Sequence, residues 1–211
     1  MESVALSLFG GLYAGRRVLV TGHTGFKGSW LVLWLRQLGA SVTGLALDPD
    51  THPSHWALLG FDDVADHRVD LLNATAVRQV LDTHEPEIVF HLAAQPLVRR
   101  SYRAPAETFS SNVTGLINLL DAIRDCPSVR VLVNATTDKV YAERDAPGGY
   151  LETDPLGGHD PYSASKACSE LVTDSYRKSF FNDAVASPRI ASARAGNVIG
   201  GGDWAEDRLV P

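Results

Sequence analysis

At 211 residues the chain is long enough to bury one large core, and 45% hydrophobic with 21% charged residues is ordinary for a globular protein. A formal net charge of -6 excludes a general nucleic-acid or anionic-membrane binder, since both need a basic excess, but leaves room for a small anionic ligand. Cys126 and Cys168 form neither a disulfide framework nor a zinc spacing, no metal is expected, and no apolar run is long enough to span a bilayer. The opening MESVALSLFGGLYAGRR, acidic at position 2, makes a poor signal peptide, so a cytoplasmic location with reduced thiols is expected. The sequons at Asn73, Asn112 and Asn134 then read as chance.

In chain order, short apolar runs alternate with amphipathic stretches, without an internal repeat. RRVLVTG reads as a first strand, and SWLVLWLRQLGA as a helix stopped by Gly-Ala. SVTGLALD and DVADHRVDL read as the second and third strands, ATAVRQVLDTHEP as a helix, and EIVFHLAA as the fourth strand. PAETFSSNVTGLINLLDAIRDC, entered through Pro105, reads as one long helix, and VRVLVNAT as the fifth strand. DPYSASKACSELVTDSYRKSF is a helix with Asp160 as N-cap and Pro161 in its first turn, and RIASARAGNVIG supplies a sixth strand with its exit loop. This alternation predicts an α/β fold, a Rossmann-type doubly wound parallel sheet covered on both faces. The expected division is one doubly wound domain over residues 1–199, then residues 200–211 as the start of a further, truncated region. Residues 142–160, rich in Gly, Pro and acids, read as a functional loop.

VTGHTGFKG sets Gly22, Gly25 and Gly28 three apart between a strand and a helix. Such a turn lets backbone approach a pyrophosphate, and the helix N-terminus adds free N–H groups and partial positive charge. Asp48 ends the second strand where a carboxylate would accept from an adenosine ribose, favouring NAD over the phosphorylated cofactor; its rival reading is a turn residue in LDPD. Asp70 is placed to receive an adenine amino group or simply to cap a strand end, and Lys27 reads as a solvated helix residue.

Tyr162 and Lys166 are four apart at the start of a helix, so they share a face. A phenol with a reference pKa of roughly 10 is a poor base, but an ammonium at about 4 Å contributes up to ~4 kcal/mol, or about three pKa units. Lys166 is therefore expected to make Tyr162 a usable general base. Thr137, Asp138 and Lys139 close the fifth strand, where charges are unusual unless they are paired or reactive.

Together these residues resemble the extended short-chain dehydrogenase/reductase superfamily. VTGHTGFKGSWL, HLAAQPLVRRSY, TTDKVY, DPLGGHDPYSASKACSELV and RAGNVIGGGDWAEDR further resemble its cytidine-linked 4,6-dehydratases, from about Gly15 to Pro211. Thymidine-linked relatives carry Thr-Asp-Glu where this chain has Thr137-Asp138-Lys139, and AERDAPGGY at 142–150 departs from the aromatic-rich loop of the pattern. The resemblance implies that Gly22, Gly25 and Gly28, with the backbone of Thr24 and Phe26, hold the NAD pyrophosphate. Asp48 would take the ribose and Asp70 the adenine, Leu71 would also contact the cofactor, and Ala93, Ala94 and Gln95 would line the cleft. Asn112 would support the site from behind, and Lys166 would also bind the nicotinamide ribose.

The implied activity is dehydration of CDP-glucose to its 4-keto-6-deoxy product. Thr137 would bond the 4-hydroxyl, Tyr162 would deprotonate it, Lys139 would take the C5 proton and Asp138 would protonate the departing 6-hydroxyl. These last two roles could be exchanged, and both require desolvation or a neighbouring like charge. Asn197, Asp203, Trp204 and Arg208 are candidate substrate contacts, and Arg99 and Arg100 either face the diphosphate or lie on the surface. Another sugar-nucleotide dehydratase or epimerase and a non-catalytic dinucleotide sensor are the competing expectations. A homodimer or dimer of dimers is expected by analogy, through helices at 105–125 and 160–180. The 211-residue chain alone is expected to be inactive.

Overall fold

The computed structural model describes residues 8–144, 148–182 and 187–208. Six apolar runs form one parallel sheet: β1 (Arg17–Thr21), β2 (Ser41–Ala46), β3 (Ala65–Arg68), β4 (Ile88–His91), β5 (Val131–Ala135) and β6 (Arg189–Ala193). Their order is β3-β2-β1-β4-β5-β6, so the winding reverses between β1 and β4, where a doubly wound sheet opens its ligand crevice. Alternation along β1 decides the two cores. Val18 and Val20 face one side with Val32, Leu35 and Trp56, while Leu19 faces the other with Leu81, Leu119, Leu120 and Leu132.

Helix α1 (Phe26–Gln37) and the short α2 (His55–Leu59) cover the first face. Helix α3 (Ala74–His84) is capped by Asn73, whose side chain accepts from Ala76 N at 3.1 Å. It packs on the second face with α6 (Gly115–Arg124) and α7 (Pro161–Ser179). Asp160 caps α7 as expected, accepting from Ser163 N at 3.0 Å, with Pro161 in the first turn.

Two expectations need correction, and one stretch left unassigned is helical. The segment from Pro105 is not one helix: α5 (Pro105–Phe109) and α6 are separated by a π turn over Ser110–Thr114. The third strand shrinks to four residues at the sheet edge, since β2 pairs with only Ala65–Arg68. PLVRRSY, without strong periodicity, holds the short helix α4 (Val98–Arg103).

Asn112 and Asn134 are buried, so their sequons are closed to glycosylation, and both cysteines are free thiols. Among the described residues, no helix is long and apolar enough to cross a membrane, and no group of three or more potential ligands could hold a metal. Of the 142–160 loop, residues 145–147 lie outside the described residues, as do 1–7 and 209–211.

Candidate active site in a dinucleotide cleft

The glycine turn leaves β1 at the switch point. Gly22 takes φ 73°, and a Cβ there would stand 2.6 Å from Ala93 N. A Cβ on Gly28 would stand 2.1 Å from Gly22 O, so the missing side chains create the cradle where backbone must come close to a ligand. Gly25 N donates to Gly22 O at 3.1 Å and Gly25 precedes α1, leaving the first N–H groups of a twelve-residue helix at the crevice. Thr24 ties the turn to β2, donating from Oγ1 to Leu47 O at 2.9 Å. These features fit a bound pyrophosphate.

Asp48 lies two residues beyond β2, its side chain 86% exposed, with Oδ1 3.7 Å from Arg68 Nε. Asp70 follows β3 and accepts Leu72 N at 2.9 Å, which is the capping arrangement. Leu71 is buried against Gly115, and its carbonyl accepts from Asn118 Nδ2 at 2.8 Å.

Beyond β4, Ala93 closes over Gly22 and donates its N–H to Thr21 Oγ1 at 3.3 Å. That hydroxyl is also hydrogen-bonded to His91 Nδ1 at 2.8 Å. Burial, helped by the charge of Lys166, holds His91 neutral with a pKa of about 3. Gln95 does not line the cleft with its side chain: its amide is engaged by Thr108 Oγ1 at 2.8 Å and Leu97 N at 2.7 Å. Asn112, in the π turn, clasps Gln95 by its N–H (2.8 Å) and C=O (3.1 Å), and donates to Ser165 Oγ at 2.8 Å. The supporting role expected of Asn112 therefore has a mechanism, with the extra residue of the π turn aiming its side chain between β4 and α7.

Tyr162, Thr137 and Lys139 line a cleft of about 460 Å³ together with Lys27, Asn197, Asp203 and Arg208. Burial pushes the Tyr162 phenol above its ordinary value, opposed by a hydrogen bond with Thr137 and the charge of Arg208. Asp138 and Asp160 push it further up. Lys166 does not act as expected. Its buried ammonium donates to Ala135 O at 3.0 Å, and burial, then the charge of Lys27, draws its pKa down to about 8 despite Glu170. The lowering of Tyr162 within this chain rests on Thr137 and Arg208 instead.

Asp138 and Lys139 share a short 3₁₀ turn capped by Thr137 Oγ1, which Lys139 N approaches at 3.4 Å. Both are exposed, because the turn carries them beyond the strand end. The desolvation expected for an acid–base pair is therefore not supplied by the described residues. Lys139 faces the cleft with Tyr162, whereas Asp138 opens on a neighbouring cavity lined by Tyr141, Glu170 and Arg194. Its carboxylate packs toward Gly196, where a Cβ would lie 3.4 Å from Oδ2.

Beneath that turn lies a buried pair the sequence did not reveal. Arg194, just past β6, forks onto Glu170 at 2.8 and 2.6 Å and reaches Tyr141 Oη at 2.9 Å. Glu170 also accepts from Thr136 Oγ1 at 2.6 Å, and the paired carboxylate raises the Arg194 pKa. Removing one partner strands the other's charge. Arg194→Met is expected to cost about 2 kcal/mol in urea unfolding, less than a fully buried pair because the arginine keeps some exposure, with much of the loss recovered in Arg194→Met/Glu170→Leu.

The segment from Gly200 folds over α1 and α4. Gly202 takes φ 89°, and a Cβ there would stand 2.9 Å from the His55 side chain, while Trp30 Nε1 donates to Gly201 O at 2.9 Å. The arginines considered as substrate or diphosphate contacts carry acidic partners: Arg208 with Asp203 (2.8 Å), Arg99 with Asp207 (2.9 Å) and Arg100 with Glu107 (2.5 Å). Trp204 lies outside the cleft lining, while Lys27 lies in it, contrary to its reading as a solvated helix residue. Its position between two glycines of the turn was the available signal.

The chain is 50% identical over 203 residues to the CDP-glucose 4,6-dehydratase of Salmonella typhimurium, covering 94% of this chain and 56% of that protein. It is 32% identical over 174 residues to the dTDP-glucose 4,6-dehydratase of Xanthomonas campestris pv. campestris, covering 77% and 49%. Of the solved structures, the Streptomyces venezuelae dTDP-glucose 4,6-dehydratase double mutant with NAD bound gives a TM-score of 0.79 at 28% identity, covering 92% of this chain and 60% of that one. The Thermus thermophilus UDP-glucose 4-epimerase complex with NAD gives 0.72 at 32% identity, covering 84% and 54%. The chain spans about half the length of these curated relatives. The family model described as NAD dependent epimerase/dehydratase matches residues 18–210, which takes in nearly the whole sheet and the cleft: the chain belongs to that family.

Proposed function

We propose that this chain provides the dinucleotide-binding half and the reacting groups of an enzyme that converts CDP-glucose to CDP-4-keto-6-deoxyglucose. Lys139 beside Tyr162 and Thr137 in one cleft carries the proposal, supported by the 50% identity to a CDP-glucose 4,6-dehydratase. Gly22, Gly25 and Gly28, with the backbone of Thr24 and Phe26, would hold NAD, with Asp48, Asp70, Leu71, Ala93 and Ala94 along its length. The bound dinucleotide supplies a hydride acceptor that returns the hydride, leaving the overall reaction redox-neutral.

Thr137 orients the sugar 4-hydroxyl and Tyr162 takes its proton as C4 is oxidised. The resulting ketone acidifies C5–H, and Lys139 removes that proton. Asp138, whose carboxylate must swing from the neighbouring cavity into the cleft, protonates the 6-hydroxyl, which leaves as water, and C6 is then reduced. Exposed as they are, Asp138 and Lys139 need the sugar and the rest of the enzyme to exclude water before they act. An epimerase would leave this adjacent acid and base without a task. Asn197, Asp203 and Arg208 would meet the nucleotide sugar, with Arg208 exchanging Asp203 for a diphosphate oxygen. The helices around Phe109 and Leu171, both exposed, would pair in a homodimer.

In the whole enzyme, Lys139→Ala is expected to leave C4 oxidation measurable while stopping solvent exchange at C5, followed by deuterium incorporation. Normal exchange removes Lys139 from its role. Comparing CDP-, dTDP- and UDP-glucose, with the alkaline absorbance of the 4-keto product as readout, tests the substrate.

A further inference from the structure

We propose that Arg68 is a specificity-determining residue of the dinucleotide site, a fixed cation for a 2′-phosphate that Asp48 masks. The inference rests on the reading that this cleft binds a dinucleotide.

Asp66 and Arg68 are two apart on edge strand β3, so they share a face. Asp66 is held on several sides: Oδ1 lies 2.8 Å from His23 Nε2, and Oδ2 accepts Trp56 Nε1 at 3.3 Å and Arg68 Nη2 at 2.7 Å. His23 belongs to the glycine turn, and its ring fits because Gly44 has no side chain; a Cβ there would stand 2.4 Å from the imidazole. Burial keeps His23 below its ordinary pKa, so it is neutral at pH 7 and the counter-charge of Asp66 is Arg68.

Arg68 is anchored a second time, donating from Nη1 to Leu47 O at 3.2 Å. The same carbonyl accepts Thr24 Oγ1 at 2.9 Å, so the guanidinium, the glycine turn and the exit of β2 meet at one atom. The remaining edge of Arg68 points its Nε at Asp48 Oδ1, 3.7 Å away and too far for a hydrogen bond. The cation is thus fixed by partners other than Asp48, while Asp48 stays exposed and available to a ribose diol.

A carboxylate accepts from a 2′,3′-diol and repels a 2′-phosphate, whereas a guanidinium fork matches that phosphate. One exposed carboxylate therefore decides between the two cofactors, and its removal uncovers a cation already in place.

Calorimetric titration of the 211-residue chain with NAD and NADP provides the test. The unaltered chain is expected to prefer NAD by about tenfold or more. Asp48→Ser should raise NADP affinity by about tenfold, with steeper salt dependence. Asp48→Ser/Arg68→Met should lose that gain while NAD affinity stays within about threefold of the single variant. Asp48→Ser/Arg68→Lys, which keeps the charge without the fork and guards against a packing effect, should retain only part of it. NAD binding without an NADP gain in Asp48→Ser, or a gain that survives Arg68→Met, overturns the role of Arg68 alone. Failure of the unaltered chain to bind either dinucleotide overturns the cofactor reading and this inference with it.

Discussion

Gly28→Ala is expected to destabilise the chain by roughly 4 kcal/mol and to abolish NAD binding, while Gly25→Ala costs under about 1 kcal/mol. The Cβ of Gly28 would meet Gly22 O at 2.1 Å, Gly22 C at 2.7 Å and His23 Cα at 2.7 Å. All three are backbone atoms, so no rotamer change relieves the clash, and α1 must lift off the turn. Lifting it moves the free N–H groups that would face the pyrophosphate and loosens Thr24 from Leu47, joining the stability loss to the binding loss. At Gly25 φ is -75° and the nearest contact of a Cβ is Gly22 O at 3.3 Å, a few tenths of an ångström of adjustment. Urea unfolding with NAD titration on the two variants measures both effects. A Gly28→Ala chain as stable as the parent would mean that the helix slides freely over the turn.

The parts legible in the sequence are those whose cause is local. The glycine turn, the strand before it and the Asp160–Pro161 entry to α7 each need only a few adjacent residues, and each stands where the pattern predicts. The π turn escaped because nothing local in PAETFSSNVTG separates a π turn from a weak stretch of α-helix; the Asn112 within it bonds Gln95 and Ser165, which are distant in sequence. Tyr162 and Lys166 do share a helix face, but spacing carries no information about burial or about the Ala135 carbonyl that takes the ammonium. Arg194 and Glu170 lie 24 residues apart on different elements, and only the folded chain joins them. Arg99, Arg100 and Arg208 looked like free cations because their acids, Asp207, Glu107 and Asp203, come to them through packing of the C-terminal segment or around α4.

Lys166→Met is expected to make the chain more stable by about 2 kcal/mol at pH 7, an advantage that disappears on approaching pH 10. Lys166 is 5% exposed, and its pKa falls from 10.5 to about 8 in the folded chain. At about 1.4 kcal/mol per pKa unit, holding it charged in the fold costs roughly 3 kcal/mol, of which the bond to Ala135 O returns about 1 on replacement. The sign follows from proton counting. Between about pH 8 and 10.5 the unfolded chain binds more protons than the folded one, so the parent gains stability as pH rises through that window. Below it the full cost is present, and above it the folded amine is neutral without penalty. Burial, then the charge of Arg208, also draws the Lys27 pKa below its ordinary value and adds a swing of the same sign, so between pH 7 and 9.5 Lys166 is read from the difference between the parent and Lys166→Met curves. Thermal melts of both chains across that range provide the measurement, and parallel stability curves would place the ammonium in contact with water. Lys27→Met should narrow the window from below and shrink the swing with it, since removing the neighbouring charge lets Lys166 hold its proton to higher pH. Lys166 thus sits at a cost to the fold, its ammonium on the carbonyl that ends β5, one turn along α7 from Tyr162.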